Sequence, residues 1–301
     1  MREAQMRTGT ILVGVDGSAG SESALRWAVR EARLRPGPVT AVFGWTAEGP
    51  RGVYRAAPHA DHDALARAAA AVLDRAVVDV VGQDGRVGQD GRGAVGQLVV
   101  EADPVEALIK NAGTAEMIVV GARGHGPVHR MLAGSISQGV VHHAPVPVVV
   151  TRGSVPAVEE RDSRPVVVGV DGSPSSLAAL TWAAVEAEAR GVQLRVVHAW
   201  GSGNVVGPAL IASWQQSLVG QAQRTLDAAV ADGVGERANV DAVVTGDLPA
   251  QALLRESGDA QLLVVGSRGR GGFAELVLGS VSHQCVLHAA CPVAVVRTGP
   301  R

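Results

Sequence analysis

Blocks of the first half of this 301-residue chain return in the second half in the same order, and that recurrence constrains the fold more than any single motif. "TILVGVDGSAGSESALRWAVREA" at 10–32 answers to "PVVVGVDGSPSSLAALTWAAVEA" at 165–187. "VTAVFGW" at 39–45 matches "LRVVHAW" at 194–200. Farther on, "VVEADPVEALIKNAGTAEMIVVGARG" is matched by "VVTGDLPAQALLRESGDAQLLVVGSRG", and "GSISQGVVHHAPVPVVVTR" by "GSVSHQCVLHAACPVAVVR". A period this long is a whole domain, so the chain is a tandem duplication with enough residues for two cores. The domains are expected over 8–152 and 165–298. Between them, 153–164 reads "GSVPAVEERDSR", whose proline and mixed charges suit a linker. The first copy carries extra residues, placed at "GQDGRVGQDGR", 82–92, which is too poor in apolar residues to order and is expected to be a mobile loop.

Within each copy, strand and helix patterns alternate. "ILVGV" reads as a strand, and the next segment puts Ala24, Leu25, Ala28, Val29 and Ala32 on one helical face. "VTAVFGW" is a second strand, "DHDALARAAAAVLDRAVVDV" an amphipathic helix and "QLVVEA" a third strand. Asp103 before Pro104 opens a short helix that closes near Gly113. "MIVVGA" is the fourth strand, a helix starts around Ser135, and "PVPVVV" is the fifth strand. Hydrophobic residues make up 47% of the chain but aromatics only 3%, so the cores must be Val, Ala and Leu, as in buried parallel sheets flanked by helices. In such open sheets ligands bind beyond the carboxyl ends of the strands, where the winding reverses. Turn chemistry follows strands one and four, "VDGS" and "GARGHG"; if both loops serve one ligand, the strand order is 3-2-1-4-5.

The second of those loops belongs to a spacing found twice: Gly121, Gly124, then nine residues, then Gly134-Ser135; and Gly266, Gly269, Gly279-Ser280. Glycines let backbone approach a ligand. The helix opening at Gly134-Ser135 presents amides without intrahelical partners, which makes an anion site, and the hydroxyls of Ser135 and Ser137 could add donors. Asp16 and Asp171 end the first strands, where a carboxylate would repel phosphate. Each must therefore meet the far end of a nucleotide, cap a backbone turn or share a divalent cation.

Other chemistries find little support. A formal charge of −2 offers no field for nucleic acid. No apolar run approaches bilayer-spanning length, and "MREAQMRTGT" has no apolar signal core, so a cytoplasmic protein with no membrane partner is expected. Cys285 and Cys291 align with Val140 and Val146 and read as packing. There is no GxxxxGK[ST] and no HExxH; His125 and His129 read as loop residues, His142, His143 and His288 as helix-end residues, and Trp27 and Trp182 as packing.

GxxG, nine residues and GS after a Val-rich strand, with "VGVDGS" upstream, resembles the ATP-binding universal stress protein family over nearly the whole chain, twice. The resemblance implies two tandem Rossmann-like domains, of the adenine nucleotide alpha hydrolase-like type, each a five-stranded parallel sheet. It implies that Val15, Asp16 and Gly44 flank base and ribose while Gly121, Arg123, Gly124, Gly134, Ser135, Ile136 and Ser137 wrap ribose and phosphates. In the second half the matching residues are Val170, Asp171 and Ala199, then Gly266, Arg268, Gly269, Gly279, Ser280, Val281 and Ser282. Phe43-Gly44 against His198-Ala199 is a departure between the copies. The implied ligand is ATP with Mg2+, and the implied role is a nucleotide-dependent regulator in stress or growth arrest with at most slow hydrolysis. A nucleotide hydrolase or transferase, or a scaffold with vestigial sites, are the alternatives. The fifth strands are apolar edge candidates, so a homodimer or an intrachain pseudo-dimer through them is expected, with an unknown regulatory protein as partner.

Overall fold

Valine-rich strands pair in parallel within each half of this computed structural model, which describes residues 9–35, 37–46, 62–84, 95–122, 124, 134–153, 162–201, 208–235, 239–270 and 278–298. The chain divides into two compact units, Met1–Glu159 and Glu160–Arg301. In the first unit the strands are β1 (Thr10–Gly14), β2 (Val39–Trp45), β3 (Val95–Glu101), β4 (Ala115–Gly121) and β5 (Val148–Thr151). They lie in the order β3-β2-β1-β4-β5, and every pairing is parallel. The second unit repeats this with β6 (Val166–Gly169), β7 (Leu194–Ala199), β8 (Val240–Thr245), β9 (Leu262–Gly266) and β10 (Val293–Val296), ordered β8-β7-β6-β9-β10, again parallel. The 3-2-1-4-5 order is thus present in both halves.

Parallel neighbours require crossovers, and helices supply them. The first unit has α1 (Ala19–Leu34), α2 (His62–Asp84), α3 (Pro104–Lys110) and α4 (Ser135–His143). The second has α5 (Pro174–Arg190), α6 (Pro208–Gly233), α7 (Pro249–Glu256) and α8 (Ser280–His288). Ala24, Leu25, Ala28, Val29 and Ala32 are all buried along α1, and Ile11, Val13, Met117, Ile118 and Val119 are fully buried in the strands beneath. Trp27 is buried too. Cys285 and Cys291 are free and buried, and burial pushes both thiols up to about 12, which makes them inert packing residues at neutral pH.

Element ends shift where a donor or cap decides. Asp103 caps α3 by accepting from the amides of Val105 at 2.9 Å and Glu106 at 3.4 Å. That helix stops at Lys110 and tightens into a 3-10 turn over Ala112–Thr114, so it ends earlier than the expected Gly113. Strand β5 starts at Val148 rather than Pro145: Pro147 has no N–H to give and only its carbonyl pairs, accepting from Ile118 at 2.9 Å. Helix α2 runs on through Asp84, so the loop expected from 82 starts three residues later, and 85–92 lie outside the described residues. Of the expected linker, 154–161 lie outside them as well.

Charges are buried at the ends of α1 and α5. Arg35 reaches Glu31 and Glu116 at 2.5 Å each, the first pair being nearly inaccessible. In the second unit the buried pair is Arg190 with Glu186, whose side chains are 7% and 1% exposed.

Candidate functional site

At the carboxyl end of β6, Gly172 adopts φ +78°, a left-handed conformation that only glycine takes without strain, and so turns the chain into α5. Ser173 caps that helix by accepting from the Ser176 amide at 3.3 Å. Asp171 accepts from the Ser173 amide at 2.9 Å on one oxygen and from the Arg270 amide at 2.9 Å on the other. Burial pushes the Asp171 carboxyl up, but the hydrogen bonds from Ser173, Arg270 and Ser176 outweigh it, and its pKa lies below the ordinary aspartate value. The carboxylate of the "GVDGS" motif therefore caps its own turn and holds the glycine loop after β9.

The glycines of that loop have distinct jobs. A Cβ on Gly266 would lie 2.7 Å from the backbone carbon of Ser175, so the strand end needs glycine to pass under the first turn of α5. A Cβ on Gly269 would meet Asp171 Oδ2 at 2.5 Å. In both cases the missing side chain makes room for protein. The Gly279 amide donates to the Ser267 carbonyl at 2.8 Å and anchors α8 beside the loop. Gly279 is the N-cap of α8 and offers no side-chain cap, so the amides of Ser280, Val281 and Ser282 open the helix without one. Ser280 is exposed and Val281 half-buried, while Ser282 is buried and donates to the Gly266 carbonyl at 2.6 Å.

The first half repeats the frame. Gly17 has φ +78°, and Ser18 donates to Asp16 Oδ1 through its amide at 3.0 Å and its hydroxyl at 2.5 Å. A Cβ on Gly121 would lie 2.5 Å from the backbone of Gly20, and one on Gly124 would lie 2.5 Å from Asp16 Oδ2. The Gly134 amide donates to Ala122 at 2.8 Å, and Gly134 caps α4 without a side chain. Ser135 is exposed and Ile136 half-buried. Ser137 is buried and its hydroxyl donates to the Gly134 carbonyl at 2.9 Å, within the first turn of the helix. Arg123, His125 and His129 lie outside the described residues.

The residues expected near base and ribose sit at the ends of the inner strands. Val15 and Val170 are buried, their amides bonded to Val42 at 3.0 Å and Val197 at 2.9 Å. Gly44 is pressed against the start of α3: a Cβ there would meet the Pro104 Cα at 2.7 Å. Ala199 is half-buried, and its neighbour His198 sets Nδ1 2.7 Å from the Val170 carbonyl. Phe43 occupies the matching place in the first half and is buried.

Sequence reading missed several groups around these loops. Ser18, Ser21, Ser173 and Ser176 knit the turn, with Ser21 and Ser176 each 3.3 Å from the aspartate amide. Their recurrence after the aspartate was visible; their bonding was not. Arg268 is exposed, and the Arg297 guanidinium at the end of β10 is held below the usual arginine range by burial and by the Arg268 charge. Of the two, Arg268 belongs to the loop beside Gly279, whose Cβ position lies 3.5 Å from the Arg268 Cα. No group of three or more His, Cys, Asp or Glu among the described residues could hold a metal ion, and no helix of theirs is long and apolar enough to cross a membrane.

Two doubly wound α/β units, each with a glycine loop and an uncapped helix start at the reversal of strand order, define a class of tandem crevice-bearing proteins. The universal stress protein family profile matches residues 8–152 and again 163–297. The chain belongs to that family. A universal stress protein of Mycolicibacterium smegmatis is 39% identical over 302 residues, covering 95% of this chain and 96% of its own. One from Mycobacterium tuberculosis is 37% identical over 297 residues with the same coverage, 95% and 96%. The crystal structure of a universal stress protein from Archaeoglobus fulgidus superposes with a TM-score of 0.67 at 22% identity, covering 97% of this chain and 100% of that one, which shows the shared fold.

Proposed function

We propose that each half binds one adenine nucleotide, ATP with Mg2+, and that the protein is a cytoplasmic, nucleotide-dependent regulator in stress response or growth arrest, acting as a homodimer on a regulatory protein partner. The observation that carries this reading is the pair of uncapped helix starts, at Gly134 and Gly279, each anchored by its cap amide to the loop after the fourth strand of its unit. The donors fit a polyanion: the first amides of α8 carry partial positive charge, and the exposed Arg268 is a cation in the adjoining loop. In this reading Val15, Asp16 and Gly44, and Val170, Asp171 and Ala199, border base and ribose. Gly121, Arg123, Gly124, Gly134, Ser135, Ile136 and Ser137 hold the phosphate end in one half. Gly266, Arg268, Gly269, Gly279, Ser280, Val281 and Ser282 hold it in the other.

The fit to a cation is different. Both Asp171 oxygens already accept main-chain N–H groups, so Mg2+ would be held chiefly by the nucleotide's own oxygens. Bound ATP would supply a transferable phosphoryl group. In the second half the described residues around the loop place Ser175 and Ser282 on main-chain carbonyls and Asp171 on amides, so these groups orient backbone. Binding without rapid turnover is the expected behaviour. Mass spectrometry of the undenatured chain, with and without magnesium, tests this by counting nucleotides: two per chain are expected, and none at millimolar ATP would overturn the reading.

A further inference from the structure

The halves differ at one position that touches the glycine loop. In the second unit the Ser175 hydroxyl, on the first turn of α5, donates to the Arg268 carbonyl, and the Ser173 hydroxyl lies 3.4 Å from the same oxygen. With the Asp171 bond to the Arg270 amide, the residues on both sides of Gly269 are tied to the turn that leads from β6 into α5. In the first unit the position of Ser175 is taken by Gly20, which has no hydroxyl to give. There Ser18 turns its own hydroxyl to Asp16 Oδ1 at 2.5 Å.

We propose that Ser175 is a latch that fixes the second phosphate loop in its binding shape, so that the second site retains nucleotide while the first exchanges it. This rests on the nucleotide-binding reading above. The physical reason is preorganisation: a loop already held in place loses less conformational freedom on binding, and its ligand leaves more slowly. Every latch bond uses a carbonyl of Arg268 or the amide of Arg270, so none consumes the amides at the start of α8. One site would then act as a retained, structural nucleotide and the other as the sensor of the surrounding pool. Ser175 is a positioning residue here, since it acts through the Arg268 backbone.

The test uses the full chain, loaded with ATP, desalted and chased with an excess of a mass-shifted ATP. Native mass spectrometry should show one nucleotide retained and one exchanged. Ser280→Asp, which places an acid at the start of α8, should weaken binding about tenfold at the retaining site, and Ser135→Asp at the exchanging one. Ser175→Gly should speed loss from the second site about fivefold, the worth of one hydrogen bond, and Ser175→Thr should restore retention. Equal exchange at both sites, or retention that disappears with Ser135→Asp, overturns the proposal. Amide hydrogen exchange at Arg270 without nucleotide keeps the latch separable from the ligand. If no nucleotide binds, faster exchange in Ser175→Gly but not in Ser175→Thr still supports the latch while the functional reading falls. Unchanged exchange in both variants overturns the latch itself.

Discussion

The two halves agree where backbone meets backbone and part company where side chains carry charge. Gly124 and Gly269 each stand 2.5 Å from an aspartate oxygen by the position a Cβ would take, and Gly17 and Gly172 share φ +78°. Yet the aligned pairs Arg35–Glu31 and Arg190–Glu186 differ in that Arg35 also reaches Glu116, where the second half has Gln261. Phe43 faces His198 across the alignment, Gly20 faces Ser175, and the rim pair of His62 and Glu101 faces Thr245, Asp247 and Arg255. A duplicated fold can change its polar partners one at a time, because each is worth about 1 kcal/mol. It cannot change Gly121 or Gly266 so cheaply, because a Cβ there strikes main chain.

The largest difference should appear at the buried charges. Glu186→Ala removes a nearly inaccessible carboxylate that accepts from Arg190 and should cost about 2–3 kcal/mol. Glu116→Ala should cost only about 1–2 kcal/mol, because Glu116 is a quarter exposed and Glu31 still holds Arg35. Urea denaturation of both variants decides it; equal losses would show that the part-exposed Glu116 matters as much as the nearly inaccessible Glu186.

Next come the glycines, where the halves should behave alike. Gly121→Ala and Gly266→Ala drive a methyl against main chain and should each cost about 1–3 kcal/mol. Gly134→Ala and Gly279→Ala meet nothing closer than 3.5 Å and should cost under about 1 kcal/mol, a cap preference only. If the cap variants proved as costly as the strand-end ones, steric packing would not be what separates these glycines.

Much of this was legible in the chain. The repeats and the glycine spacing led to the strand order, because two loops serving one site force β1 beside β4. The buried face of α1 followed from its period. What escaped were relations between distant residues: that Asp171 reaches the Arg270 amide, that Gly266 makes way for Ser175, and that Arg297 lies near Arg268. A glycine in a sequence announces that a side chain is unwelcome; it does not say whether a ligand or the protein takes the space. Here protein contacts account for Gly121, Gly124, Gly266 and Gly269. The helix end at Asp84 escaped for another reason, since glycine and aspartate composition outweighed the helix running into it.

A binding comparison sharpens the same contrast. Ser135→Asp and Ser280→Asp each add an acid at a helix start, which favours the helix and repels phosphate. Each should lower affinity at its own site about tenfold, near the upper range of such charge effects, with thermal stability unchanged. Calorimetric titration with ATP measures it, and loss of stability alongside affinity would mean that the serines act through folding.

The smallest effect concerns pH at the rims. His62 opens α2 and sets Nε2 2.8 Å from Glu101, with its ring 5.0 Å from that of Trp45. The Glu101 hydrogen bond and charge, helped by Asp63, raise the His62 pKa above its ordinary 6.5. A raised pKa means that the pair's contribution is complete below 6.5 and disappears as pH climbs through the folded value. In the second half Arg255 holds the Asp247 carboxyl below its ordinary value and Asp247 raises Arg255, so that rim stays charged across the whole neutral range. Both rims are exposed and screened by solvent, so neither should move global stability much. The contrast should be visible locally: NMR titration of the His62 ring ought to show an elevated pKa that falls toward the ordinary value in Glu101→Gln, while resonances of Asp247 and Thr245 stay flat over the same pH span. A His62 pKa unmoved by that substitution would mean that the rims do not differ in this respect, leaving Ser175 and the buried charges as the places where the halves diverge.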